Sequence, residues 1–156
     1  MDHFDSNTII FAKMLSKAIT VLPNISIQVN DHIYLKSPES SELGRKIVTE
    51  GINLMDELGF ESFTFRKLAV KIESTEASIY RYFESKHKLL LYLTNWYWAW
   101  MEYRLMFGMA NILNPKERLS RAITLLTEEV NEDSDFSHIN EVKLNRIVIA
   151  DSSKSK

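Results

Sequence analysis

The chain has 156 residues, of which 45% are hydrophobic and 26% charged, and a formal net charge of −2. That composition describes a globular protein with room for one small core and part of a second helical unit, and it does not advertise a polyanion ligand unless positive charge is segregated locally. The absence of cysteine excludes a disulfide framework and a thiolate metal site, and His3, His32, His87 and His138 lack ligand spacing, so neither a metal nor a cofactor is expected.

In residues 4–22, Ile10, Met14 and Ala18 form one stripe with Phe11, Leu15, Ile19 and Leu22 beside it, which predicts an amphipathic helix ending at Pro23. Asp2 and Asp5, together with Lys13 and Lys17 inside the apolar run, argue against a secretory leader. Alternation in Ile25, Ile27 and Val29, then Asn30-Asp31, then His32 to Leu35 predicts a small β-hairpin. Pro38-Glu39-Ser40-Ser41 opens the next helix, whose inner stripe is Leu43, Ile47, Gly51, Leu54 and Leu58, with Gly59 as its stop. Phe60 and Phe63 are expected to close its core.

The following stretch carries the pattern of a helix-turn-helix. Phe65, Leu68, Ala69 and Ile72 share one face of a helix, leaving Arg66, Lys67 and Lys71 on the other. After the turn Glu73-Ser74-Thr75, with Thr75 as cap, Ile79 and Phe83 face one way. Ala77, Ser78 and Arg81 then point outward, flanked by Tyr80 and Tyr82. Eight residues of such a helix span roughly 12 Å, comparable with a major groove. Between Thr64 and Lys88, Arg66, Lys67, Lys71, Arg81, Lys86 and Lys88 outnumber Glu73, Glu76 and Glu84, six against three, a local excess suited to phosphates.

Ser85 caps another helix and places Lys86 in its first turn, where a cation opposes the helix dipole and calls for either a negative partner or solvent. Its stripe runs Leu89, Leu93, Trp96, Trp100, Tyr103 and Phe107 towards Gly108, with Tyr92, Tyr97 and Trp98 off the stripe. Aromatic density at Tyr92, Trp96, Trp100 and Tyr103 fits three readings: an effector pocket, contact with a second subunit, or plain core. Asn95, Glu102 and Arg104 break or bound the apolar run, so it is not a membrane span. Asn114-Pro115-Lys116-Glu117 opens a further helix with Leu119, Ala122, Ile123, Leu126 and Val130 as its buried face. After a polar loop, a last helix is expected over 139–150, with Ile139, Val142, Ile147 and Val148 apolar, and residues 152–156, without apolar content, are expected to fray.

Gly59-Phe60, Thr64, Leu68-Ala69, the run Ile79-Tyr80-Arg81-Tyr82-Phe83 and Ser85-Lys86, at this spacing, resemble the N-terminal DNA-binding domain of the TetR family of bacterial transcriptional regulators. The resemblance extends from Gly44 to about Trp96, and it departs from the family at Glu73, where Gly is usual. It implies an all-α protein with a three-helix DNA-binding unit at 40–87, preceded by an extension at 1–39 and followed by a partial helical effector and dimerisation domain at 88–156. The extension is either an arm that touches DNA or a structural addition. The resemblance further implies a cytoplasmic, nucleoid-associated bacterial regulator, a repressor that binds a pseudo-palindromic operator in double-stranded DNA as a homodimer and answers to a small-molecule effector. Thr64, Tyr80, Tyr82 and Lys86 would contact phosphates, and Arg66, Ser78 and Arg81 the base edges. Ser74 and Thr75 complete the interface, and Ala77 permits close approach. Little chain follows the first unit, so a C-terminally truncated member is expected, which leaves a helical protein-interaction module without regulation as the alternative. No paired carboxylates, activated nucleophile or glycine-rich phosphate loop is present at usable spacing, so the chain does not read as an enzyme.

Overall fold

The computed structural model describes residues 27–132, 138–151 and 154. Among them the regular elements are all helical: α1 (Glu42–Ser62), α2 (Phe65–Lys71), α3 (Glu76–Tyr80), α4 (Lys86–Met109), α5 (Pro115–Thr127) and α6 (Glu141–Asp151), with 3-10 turns at Asp31–Ile33 and Pro38–Ser40. The helix expected at 4–22 lies outside the described residues. The expected β-hairpin does not form in its described part. Asn30 instead accepts a hydrogen bond from the His32 amide at 3.0 Å and caps a 3-10 turn. Ile27 and Val29 pack against the helical core from an extended stretch with one covered face, and Ile33 and Tyr34 pack against it at the end of the 3-10 turn.

Helix α1 begins at Ser41, whose hydroxyl accepts from the Gly44 amide at 3.0 Å. Gly44 is there because Pro38 lies on top of it: a Cβ at Gly44 would sit 2.2 Å from the Pro38 carbonyl oxygen. Gly59 breaks the helical path at φ 74°, as expected of the stop, and a last turn continues to Ser62. The buried face is Ile47, Val48, Gly51, Ile52, Leu54 and Met55. Leu58, expected on the inner stripe, is exposed, because the path turns away at the glycine beside it.

Phe60, Phe63, Phe65, Leu68, Ile72, Ile79 and Phe83 join that face with Leu89, Leu90 and Leu93 of α4 to make one continuous core. Helix α6 closes the other side of α1 through Leu144, Ile147 and Val148. Polar ties reinforce it: Arg146 donates twice to Asp56 at 2.8 and 2.7 Å, and Lys143 donates to Asn53 at 2.8 Å. Hydrogen bonding to Arg146 holds the Asp56 carboxyl below the usual range.

Helix α4 is apolar around more of its circumference than a single stripe, which follows from its position between α1, α6 and the residue 31–33 turn. Tyr92 and Tyr97, expected off the stripe, are buried, whereas Phe107, expected on it, is exposed. Helix α5 departs furthest from expectation. It crosses α4 where the Leu125 side chain fills the space beside Gly108, and Leu125 is its one buried residue. Leu119, Ile123 and Leu126, expected on the buried face, are all more than half exposed.

Candidate nucleic-acid interface

Helix α2 is capped by Thr64, whose hydroxyl accepts from the Lys67 amide at 3.2 Å, and it buries Phe65, Leu68 and Ala69, with Ile72 buried at its end. The chain then turns on Glu73, at φ 54°. The Ser74 amide closes the turn by donating to the Ala69 carbonyl at 2.9 Å. Thr75 caps α3 as expected, accepting from the Ser78 amide at 3.2 Å.

The regular part of α3 has five residues, shorter than the eight expected, because Arg81 is already its C-cap and Tyr82 and Phe83 leave in a turn. Ile79 and Phe83 are fully buried and fix this short helix to the core. Thr75, Glu76, Ala77, Tyr80 and Arg81 are exposed on its outer side, and Ser74 and Ser78 are half-buried. The Tyr80 ring lies edge-on to Phe65 at 5.1 Å, with 47% of the residue exposed. Thr64, Arg66, Tyr80 and Lys86 line one shallow cleft between the α2 start and the α3 face. Four residues selected from the sequence are thus brought together.

Two expected phosphate ligands have other partners. Lys86 sends its ammonium group to three backbone carbonyls, Phe60 at 3.0 Å and Glu61 and Phe63 at 3.2 Å, and lies over the Phe60 ring. Its donors are spent on the end of α1. Tyr82 buries its ring, and its hydroxyl pairs with the Ser41 hydroxyl at 2.7 Å. That hydrogen bond outweighs burial and, with the charges of Lys36 and Arg81, holds the phenol below its ordinary range.

The residues expected to form an effector pocket are packed. Tyr92 stands edge-on to Tyr34 and Phe83, Trp96 stacks on Trp100, and Tyr103 lies against Phe107. Burial and the neighbouring Glu39 push the Tyr92 hydroxyl upward, so it remains a neutral donor to that carboxylate. A cavity of about 610 Å³ lies instead beside Tyr97 and Met101, bounded by the end of α5 and by Val142, Asn145, Arg146 and Ile149 of α6. The sequence reading missed Lys36, which sits over the Tyr82 ring at 5.1 Å. No spacing signal could have found it, because the contact joins residues 46 apart in the chain.

A three-helix unit that buries two anchors of a short helix and leaves the opposite side open has the arrangement of a helix-turn-helix. Residues 47–93 match the family model described as bacterial regulatory proteins, tetR family, which supports an N-terminal helix-turn-helix domain of that type in this stretch. No curated protein and no solved structure matches the chain. No helix among the described residues is long and apolar enough to cross a membrane.

Proposed function

We propose that the chain is a sequence-specific transcriptional repressor of the bacterial cytoplasm that binds a pseudo-palindromic operator as a homodimer, one α3 helix in each major groove. The observation that carries this reading is the outer side of α3, where Ala77 keeps the surface low and Ser78, Tyr80 and Arg81 stand around it while Ile79 and Phe83 anchor the back. In this reading Thr64 and Tyr80 hold phosphates, and Arg66, Ser78 and Arg81 address base edges. Lys86 acts by fixing the cleft that these side chains share.

The cavity beside Tyr97 and Met101 supports a small-molecule effector site. Arg146 lines it and also holds Asp56 of α1, so a ligand that draws Arg146 away would loosen the α6 hold on the DNA-binding unit. A helical protein-interaction module is the competing reading, favoured by the exposure of Met106, Phe107, Leu119 and Ile123.

Tyr80→Phe separates them. It keeps the ring contact with Phe65 and removes only the hydroxyl, so melting should be unchanged while affinity for DNA from the chain's own promoter region falls about three- to tenfold. Fluorescence anisotropy on promoter and unrelated duplexes measures this. Equal affinity of the wild-type chain for both duplexes would remove the operator and favour the interaction module.

A further inference from the structure

The segment before α1 is fastened to the exit of the recognition helix. The Leu35 amide donates to the Tyr82 carbonyl at 2.8 Å, and Ser41 meets the Tyr82 hydroxyl at 2.7 Å. Lys36, between those two ties, is carried over the Tyr82 ring with its ammonium group 5.1 Å from the ring centre. Arg81, the preceding residue and the C-cap of α3, is exposed, as is Lys36. Both cations bear on the Tyr82 hydroxyl.

Neither cation is neutralised by an ion pair with a described carboxylate. The one acid within three residues of Lys36 is otherwise occupied: Glu39 accepts from Tyr92 at 3.4 Å and lies 3.0 Å from the His138 ring. Two exposed cations held at the same tyrosine, Lys36 over its ring and Arg81 at the preceding position, offer an anion positive charge with no paired carboxylate to displace. Because the segment carrying Lys36 is tied through Leu35 and Ser41 and the ammonium group lies over the Tyr82 ring, holding it in place for a ligand has a reduced entropic cost.

We propose that Lys36 and Arg81 form a phosphate clamp that grips the DNA backbone at the exit of the recognition helix, making the segment at 34–37 part of the DNA-binding surface. The inference rests on the DNA-binding reading above, moves Arg81 from the base edges to the backbone, and adds through Lys36 a contact from outside the stretch that matches the family. Lys36 selects no base. It sets how strongly, and in which register, the recognition helix is pressed into the groove.

The test is the salt dependence of affinity for a promoter duplex between about 50 and 200 mM salt, using the full chain. Lys36→Gln should flatten the slope of log K against log salt by about 0.9 and weaken binding about three- to tenfold at the low-salt end. Lys36→Arg should restore the slope. Lys116→Gln, which removes one charge from α5, should leave it unchanged, and thermal melts of all three should match wild type. A Lys36→Gln slope equal to wild type would overturn the clamp while leaving the DNA-binding reading standing. A wild-type chain without salt-dependent binding would remove both.

Discussion

Lys86 shows how a side chain chosen for its charge can also be held by the fold itself. A cation in the first turn of α4 faces the positive end of that helix dipole and needs compensation. It finds it at the opposite pole of another helix, where Lys86 reaches the carbonyls of Phe60 and Glu61 in the last turn of α1 and that of Phe63 at its C-cap. Charge-assisted hydrogen bonds of this kind make Lys86 a positioning residue for the α1 to α4 junction. Lys86→Met should therefore cost about 1–3 kcal/mol of stability, seen as a lower melting midpoint, while the salt slope of DNA binding by the folded fraction stays at the wild-type value. An unaltered melt with a slope flattened by about 0.9 would instead return Lys86 to the phosphate backbone. The residue types and their periodicity made Phe65, Leu68, Ile72, Ile79 and Phe83 legible as core. The far end of a four-carbon chain was not legible, because its destination is set by carbonyls more than 20 residues away that exist only once α1 has turned.

At the scale of elements, the caps were the most legible feature. Thr75, Ser85 and Asn114 each accept hydrogen bonds from the first turn of the helix they open, as their residue types require. The turn between α2 and α3 was legible in a different way, through a residue that does not suit its conformation. Glu73 sits at φ 54°, the region where a Cβ is crowded against the following backbone and glycine is at ease. The Ser74 amide bond to Ala69 and the Thr75 cap hold the turn on both sides of the misfit residue. Glu73→Gly should relieve the strain, offset in part by the greater freedom of glycine in the unfolded chain, for a net stabilisation of up to about 1 kcal/mol. Chemical denaturation measures it, and a lower midpoint in the variant would show that the turn carries no such strain. The segment at 27–35 misled for a physical reason: its extended stretch at 27–30 alternates covered and open side chains just as a strand does before the 3-10 turn begins, and only a partner strand distinguishes the two.

For the whole molecule, the balance of buried and open apolar surface is uneven. Helices α1 to α4 and α6 satisfy one another, and Arg146 and Lys143 tie α6 to α1. Helix α5 touches this body through Leu125 and leaves Leu119, Ile123 and Leu126 open, with Met106 and Phe107 of α4 also uncovered. Hydrophobic periodicity reveals that a helix has a face to bury; it says nothing about whether the cover is the same chain or another, which is why the face was legible and its exposure was not. An operator with two half-sites calls for two joined copies, and if the proposed dimer uses this open face a charge placed on it should separate them. Ile123→Glu should then leave melting within about 0.5 kcal/mol of wild type, since the side chain already faces water in the single chain. It should also reduce the mass seen by light scattering from dimer to monomer. Affinity for a duplex with both half-sites should fall towards that for one half-site, because the second recognition helix is no longer delivered at high effective concentration. If the variant keeps the wild-type mass, the copies join elsewhere and the α5 face belongs to a different partner; if it fails to melt cooperatively, Ile123 supports the fold itself.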